Sequence, residues 1–252
     1  MSAPVSNQPK PRKVTKQIPD INWIKIPAGK FTYGSKEDRT EKTLYLDTFY
    51  ISQYPITNAQ YQCFFDDGGY ENDEWWQDLE KITAEESYWP QLNRPKTDVN
   101  WYEAIAFCHW LSVQLGYLIQ LPTEQQWEKA ARGANGLRYP WGNSYQSGYA
   151  NIFEPVEKTP DRYNLQTTCA VGLYPHGNSP NGIADMAGNV WEWCINRPEE
   201  IKNDLSEYAF TMRGGSWGNN SEYSTCYFRN RDNPNIRDSD LGFRICSTHP
   251  AS

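Results

Sequence analysis

The chain has 252 residues with 11 Trp, 17 Tyr and 9 Phe, yet only 38% of it is hydrophobic and its mean hydropathy is -0.81. A core made of few, large aromatic residues spaced by polar turns excludes a stack of long Leu- and Ala-rich helices. A formal net charge of -7 leaves no basic footprint for phosphates, which argues against nucleic acid, and no apolar run reaches the roughly 18 residues that a membrane span needs.

In chain order, residues 1–20 read as a flexible leader. Met1 to Pro19 is polar, proline-rich and without periodicity, and it lacks the apolar segment of a signal peptide, so the expected compartment is the cytoplasm. One folded domain is expected over 21–249. The alternation and breakers of Trp23 to Gly34 predict a short hairpin, and Leu44 to Ile51 predicts another strand.

Three helices are announced by one device, an oxygen-bearing cap followed three residues later by Glu or Gln. The pairs are Thr57/Gln60, Asn100/Glu103 and Thr123/Gln126. In the second helix Trp101, Ala104, Ile105, Cys108, Leu111 and Leu115 recur at helical spacing and Gly116 stops it. His109 lies off that stripe and reads as a solvated surface residue. From Ala134 onward Gly, Asn, Pro, Asp and Ser punctuate every few residues, predicting loops and short strands. Each ordered residue costs roughly 1–2 kcal/mol of backbone entropy, so such a half needs pinning, and bound cations are one candidate. Cys63, Cys108, Cys169, Cys194, Cys226 and Cys246 form no C-x-x-C pair and read as buried free thiols.

Eight segments occur in order: Ile26-Pro-Ala-Gly-Lys-Phe31, Tyr54-Pro-Ile-Thr-Asn58, Val99-Asn-Trp-Tyr-Glu-Ala104, Leu121-Pro-Thr-Glu-Gln-Gln-Trp-Glu-Lys-Ala-Ala-Arg132, Tyr139-Pro-Trp-Gly142, Gly188-Asn-Val-Trp-Glu-Trp193, Arg213-Gly-Gly-Ser-Trp217 and Leu241-Gly-Phe-Arg244. On these the chain resembles the formylglycine-generating-enzyme (sulfatase-modifying factor) family from about residue 21 to 247. The resemblance implies an α+β fold of the C-type lectin-like kind, with small twisted antiparallel sheets, two or three helices and much coil. That fold carries both enzymes and pure binders, so function has to be argued from the site.

Family members that make formylglycine use two cysteines, one just after the Gly-Gly-Ser-aromatic turn and one about five residues later, to hold copper(I). A soft cation of this kind wants two thiolates. Here Asn219 and Ser224 stand at those places, and neither group binds copper(I) or exchanges with a substrate thiol. Cys226 lies near the second place and restores one thiolate at most. No catalytic residue and no copper are therefore expected. The family's iron-dependent sulfoxide synthases rely on histidine ligands, which His109, His176 and His249 do not supply; His176 reads as a turn residue.

The resemblance also implies structural calcium. One site would use Asp185, the carbonyls of Gly188 and Val190, and Glu192; the other would use Asn151, the Ile152 carbonyl, Asp161 and the Tyr163 carbonyl, where the spacing departs from the family's. The alternative for Glu192 is a salt bridge to Arg213 or Arg244.

The window from Trp217 to Asp240 mixes rigid aromatics with short polar groups, a composition similar to that of paratopes. The contact residues expected are Trp217, Asn219, Asn220, Ser221, Tyr223, Ser224, Cys226, Tyr227, Asn230, Asp232, Asn235, Ile236 and Asp238, with Phe228, Arg229 and Arg231 open to either frame or contact. Charges of both signs point to a protein or small-molecule ligand rather than a polyanion. The window also resembles the variable region of lectin-fold proteins diversified by retroelements, whose mutagenesis acts on adenines in asparagine codons. The alternatives are an oxidoreductase-type family member with other chemistry, a member whose active-site loop has decayed, and a regulatory domain whose leader joined a signalling partner.

Overall fold

The computed structural model describes residues 17–154, 164–195 and 210–248. Most of the expected leader, as well as Asp161, Tyr163 and His249, lies outside the described residues. Nine strands and three α-helices are arranged over these segments.

Strand β1 (Trp23–Ile26) pairs antiparallel with β4 (Phe49–Ser52), and β4 pairs with β9 (Cys246–Ser247). Strand β2 (Gly29–Tyr33) pairs with β3 (Lys42–Leu46) in a separate two-stranded sheet. The predicted hairpin over 23–34 is therefore corrected. Pro27 has no amide to donate and Gly29 takes φ +147, so the chain turns a corner and its halves join different sheets. The opposing chain bends at the same level between β3 and β4, where Thr48 Oγ1 accepts the Ala28 amide at 3.1 Å. The expected strand 44–51 is thus two strands.

The third sheet has the order β7 (Arg229–Asp232), β6 (Phe210–Arg213), β5 (Trp191–Trp193), β8 (Leu241–Phe243). Its β5–β8 pair is parallel, with Glu192 opposite Gly242, whereas the others are antiparallel.

All three predicted helices form: α1 (Asn58–Asp66), α2 (Trp101–Leu115) and α3 (Glu124–Arg132). Each opens with the reciprocal capping box read from sequence. Gly116 closes α2 in the left-handed conformation, φ +76, which a side chain would strain. Helix α2 is buried on more than its apolar stripe, because Phe107 and Trp110 are covered as well. Phe107 stacks on Tyr61 at 5.5 Å and meets Phe243 edge-on at 5.5 Å. Trp193 Nε1 donates to the Val99 carbonyl at 3.1 Å, which ties β5 to the start of α2. All six cysteines are buried and free, as expected.

Candidate functional site

Beyond β6 the chain makes its Gly-Gly-Ser-Trp turn. Gly215 adopts φ +70, and a Cβ there would lie 2.6 Å from Ser224 Oγ, so only glycine lets the turn close over the following loop. The turn presents Ser216, whose hydroxyl donates to Asn219 Oδ1 at 2.8 Å and to the Asp240 carboxylate. Asn219 Oδ1 also accepts the Ser216 amide at 3.1 Å. Burial holds the Asp240 carboxyl above its ordinary range, and the Ser216 hydroxyl acts in the opposite direction. The Asp240 carbonyl takes the Trp191 amide, so the two ends of the 217–240 window are fastened to one point of β5.

Trp217 meets Trp89 edge-on at 6.4 Å, and the Arg94 guanidinium lies over the Trp89 ring at 5.7 Å. Both indole N–H groups are buried without an acceptor among the described residues. Buried donors are nearly always satisfied, which marks this aromatic corner as unusual. Sequence reasoning missed Trp89 and Arg94, since Tyr88-Trp-Pro90 sits in a stretch with no period to place it.

The expected contact residues divide by burial. Tyr223, Asn230, Asn235 and Asp238 are exposed, and Trp217, Asn219, Asn220, Ser221, Tyr227, Asp232 and Ile236 are half-buried. Tyr227 is held firmly: its hydroxyl donates to Glu37 at 2.8 Å and its ring lies under Arg132 and Arg138. Ile236 packs against the main core cluster. Two of the expected contacts are corrected. Ser224 and Cys226 are 1% and 0% exposed because the glycine turn closes over the first and Trp127 and its neighbours pack around the second. Burial pushes the Cys226 thiol far above its usual range, so it is an inert core group rather than a reactive one. Arg229 belongs to the frame, donating to Tyr33 Oη at 3.3 Å, while Arg231 is exposed.

Of the two alternatives for Glu192, pairing is the one formed. Arg244 Nε and Nη2 donate to its two oxygens at 2.6 and 2.7 Å, and Trp127 Nε1 adds a third bond at 2.6 Å. The other candidate partner, Arg213, is taken by Glu128 at 2.5 Å. Both Glu192 oxygens are thus engaged by donors within the protein, and the Gly188 carbonyl accepts the Val190 amide. Asp185 accepts the Gly172 amide at 2.7 Å, and its buried carboxyl is pushed up to about 6. Asp185 and Glu192, the two carboxylates expected at the first calcium locus, are therefore each engaged by donors of the protein itself.

The second expected calcium locus differs. Asn151 Nδ2 donates to the Thr167 carbonyl at 2.9 Å and to Asn189 Oδ1 at 3.2 Å, while Asn151 Oδ1 is buried and without a partner among the described residues. Its other expected ligands are the adjacent Ile152 carbonyl and the undescribed Asp161 and Tyr163. Among the described residues no three His, Cys, Asp or Glu side chains gather as a metal cluster. His109 is exposed with Nδ1 3.0 Å from the Trp75 carbonyl, and His176 sits in a 3-10 turn, Pro175–Gly177.

The family model for the sulfatase-modifying factor enzyme 1-like domain matches residues 6–249. Serine/threonine-protein kinase pkn1 of Chlamydia pneumoniae is 29% identical over 266 residues, which cover 94% of this chain and 39% of that protein. The formylglycine-generating enzyme of Mus musculus is 26% identical over 308 residues, 97% of this chain and 78% of the enzyme. The chain therefore spans about two fifths of the length of the chlamydial relative. Among solved structures, Treponema denticola variable protein 1 superposes with a TM-score of 0.68 at 22% identity, covering 93% of this chain and 98% of that one. The likeness shows the fold.

Proposed function

The chain belongs to the sulfatase-modifying factor enzyme 1-like family, and on that footing we propose that it is a binding module that presents residues 217–240, not a formylglycine-generating enzyme. One observation carries the reading. Asn219, at the first thiolate position, spends its amide oxygen on the Ser216 turn, and Ser224, at the second, is buried. Neither is a soft ligand, and the nearby Cys226 is sealed in the core.

What remains at the surface of the window suits recognition. Tyr223 is 41% exposed, and Asn230, Asn233 and Asn235 of the same window are exposed too, so the window offers a rigid aromatic and short adaptable polar groups. Both ends of the window are fixed, so variation at its exposed positions, Tyr223, Asn230, Asn233 and Asn235, leaves the frame intact. This supports a surface diversified by a retroelement, with a protein or a small molecule as ligand; the compartment we propose is the cytoplasm. No helix among the described residues is long and apolar enough to cross a membrane. Calcium enters the reading at Asn151 and Ile152 with Asp161 and Tyr163, as a structural pin, supported by the unpartnered Asn151 oxygen.

The test combines two assays. A variant with Tyr223→Ala, Asn230→Ala and Asn235→Ala is expected to lose the partner that the parent chain captures from a lysate while melting at the parent's temperature. The parent, incubated with copper and a cysteine-containing sulfatase peptide, is expected to leave that cysteine unchanged. Conversion of the peptide to formylglycine overturns the reading.

A further inference from the structure

Lys96 takes its ammonium into the protein with 5% of the residue exposed. Its Nζ donates to the Glu85 carbonyl at 3.1 Å and to Ser87 Oγ at 3.2 Å, and it lies 5.2 Å from the centre of the Tyr61 ring. All three contacts are neutral. Three carboxylates act on it from further off, and each is engaged elsewhere. Glu103 takes Arg237, the Tyr70 hydroxyl and the Asn100 amide. Glu85 takes Arg237, and Asp98 takes the Tyr88 amide and the Thr97 hydroxyl. Burial holds the Lys96 ammonium below its usual range. A buried cation with only neutral groups at contact distance keeps a desolvation cost that these contacts and the more distant carboxylates offset in part.

The same side chain borders a cavity of about 500 Å³, within the roughly 300–1,000 Å³ that small ligands occupy. Tyr61, Phe65, Tyr70 and Leu92 supply its apolar walls. Phe65 and Leu92 remain 48% and 65% exposed, an apolar lip around a charged interior. Glu85 and Glu86 also border the cavity and both are exposed; Glu85 is paired with Arg237, whereas Glu86 has no cationic partner among the described residues, so a second negative charge on a ligand would be repelled there.

We propose that this cavity binds a small monocarboxylate with an apolar body, its carboxylate against Lys96 Nζ and its hydrocarbon between Tyr61, Tyr70, Phe65 and Leu92. One buried cation calls for one negative charge, the walls call for carbon, and Glu86 selects against dianions. Arg237 of the 217–240 window bonds Glu85 at the cavity wall, but none of the contact residues proposed for the window lines the cavity, and the proposal does not depend on the binding function of the window.

Octanoate is the probe, with octanol and octylamine as neutral and cationic counterparts of the same length, followed by isothermal titration on the full chain. Octanoate is expected to bind saturably at one site, with a Kd at least about tenfold below those of octanol and octylamine. Lys96→Met, which keeps the stem and removes the charge, is expected to weaken octanoate by at least about tenfold and leave octanol unchanged. Leu92→Glu, at the exposed lip, is expected to weaken octanoate without lowering the melting temperature. Should Lys96→Met fail to fold, the charge series on the parent chain still decides. Absence of saturable binding, equal affinity across the three probes, or undiminished octanoate binding by folded Lys96→Met overturns the proposal.

Discussion

Arg244 grips both oxygens of Glu192, and neither side chain is exposed to water. The remaining Arg244 N–H groups donate to the Ser52 carbonyl at 3.1 Å and the Ala184 carbonyl at 2.9 Å, so one guanidinium joins β4, the 184–185 turn and β5. Removing one member leaves a buried charge alone. Glu192→Gln and Arg244→Met are each expected to cost about 3–5 kcal/mol in urea unfolding. Arg244→Lys should recover little of it, because an ammonium does not span two carboxylate oxygens and two carbonyls. A loss below about 1 kcal/mol for both single variants would contradict this account.

Arg237 performs a similar task for the window. It donates from Nε to the fully buried Glu103 at 2.8 Å, to Glu85 at 2.5 Å and to the Thr83 carbonyl at 2.6 Å. Arg237→Met should destabilise the chain by about 3 kcal/mol, and adding Glu103→Gln should return a measurable part of the loss. Additive losses in the double variant would show that the two residues act independently.

For Asp240 the prediction concerns pH. Burial raises its folded carboxyl above the unfolded value, so its contribution to stability is fully present below the unfolded pKa of about 3.9 and falls away as pH rises through the folded value. Asp240→Asn keeps an acceptor for Ser216 and removes the titration. Its unfolding free energy should gain on the parent's as pH rises from about 4. Parallel pH profiles for the two proteins would refute the assignment.

The thiols give a direct measure of packing. All six are buried and free, and burial pushes Cys169 up to about 12 and Cys246 also up to about 12. Ellman's reagent should find less than about one equivalent in the folded chain and all six after denaturation. Rapid native labelling would reveal an open thiol and reopen thiol chemistry at the site.

The calcium proposed at Asn151 predicts a chelator effect. At free calcium about a hundredfold above its Kd, bound calcium adds about 2.7 kcal/mol, and EDTA should remove it with a lower melting midpoint. Asn151→Ala should melt at one temperature with or without EDTA, whereas Asp185→Asn should keep the calcium response. An EDTA-insensitive parent chain removes calcium from the account.

What was legible in the sequence was local. The capping boxes at Thr57, Asn100 and Thr123 are satisfied within four residues, so they need no tertiary information and all three helices form. The motif order identified the family and the fold, and reading Asn219 and Ser224 against the family's two thiolate positions required only their places in the chain. Partnership across long separations was not legible. Pro27 marks a break, but nothing in 23–34 says that β1 and β2 join different sheets. The choice between Arg213 and Arg244 for Glu192 depends on Glu128 reaching one of them first. The composition of the window suggested a surface, yet it could not separate Tyr223 from Ser224, adjacent residues on opposite sides of the same turn. Lys96 drew no notice at all, since its isolation is a property of where the surrounding carboxylates are directed.

The Arg244 clasp also sets an order of events during synthesis. Its partners lie 52 residues away at Glu192 and 192 residues away at Ser52, and at about 5–20 residues per second a ribosome releases them seconds apart. Until Arg244 emerges, Glu192 has no guanidinium to meet it and must stay hydrated or find a temporary host. A nascent chain stalled before residue 244 should therefore be soft in its centre and open to proteases.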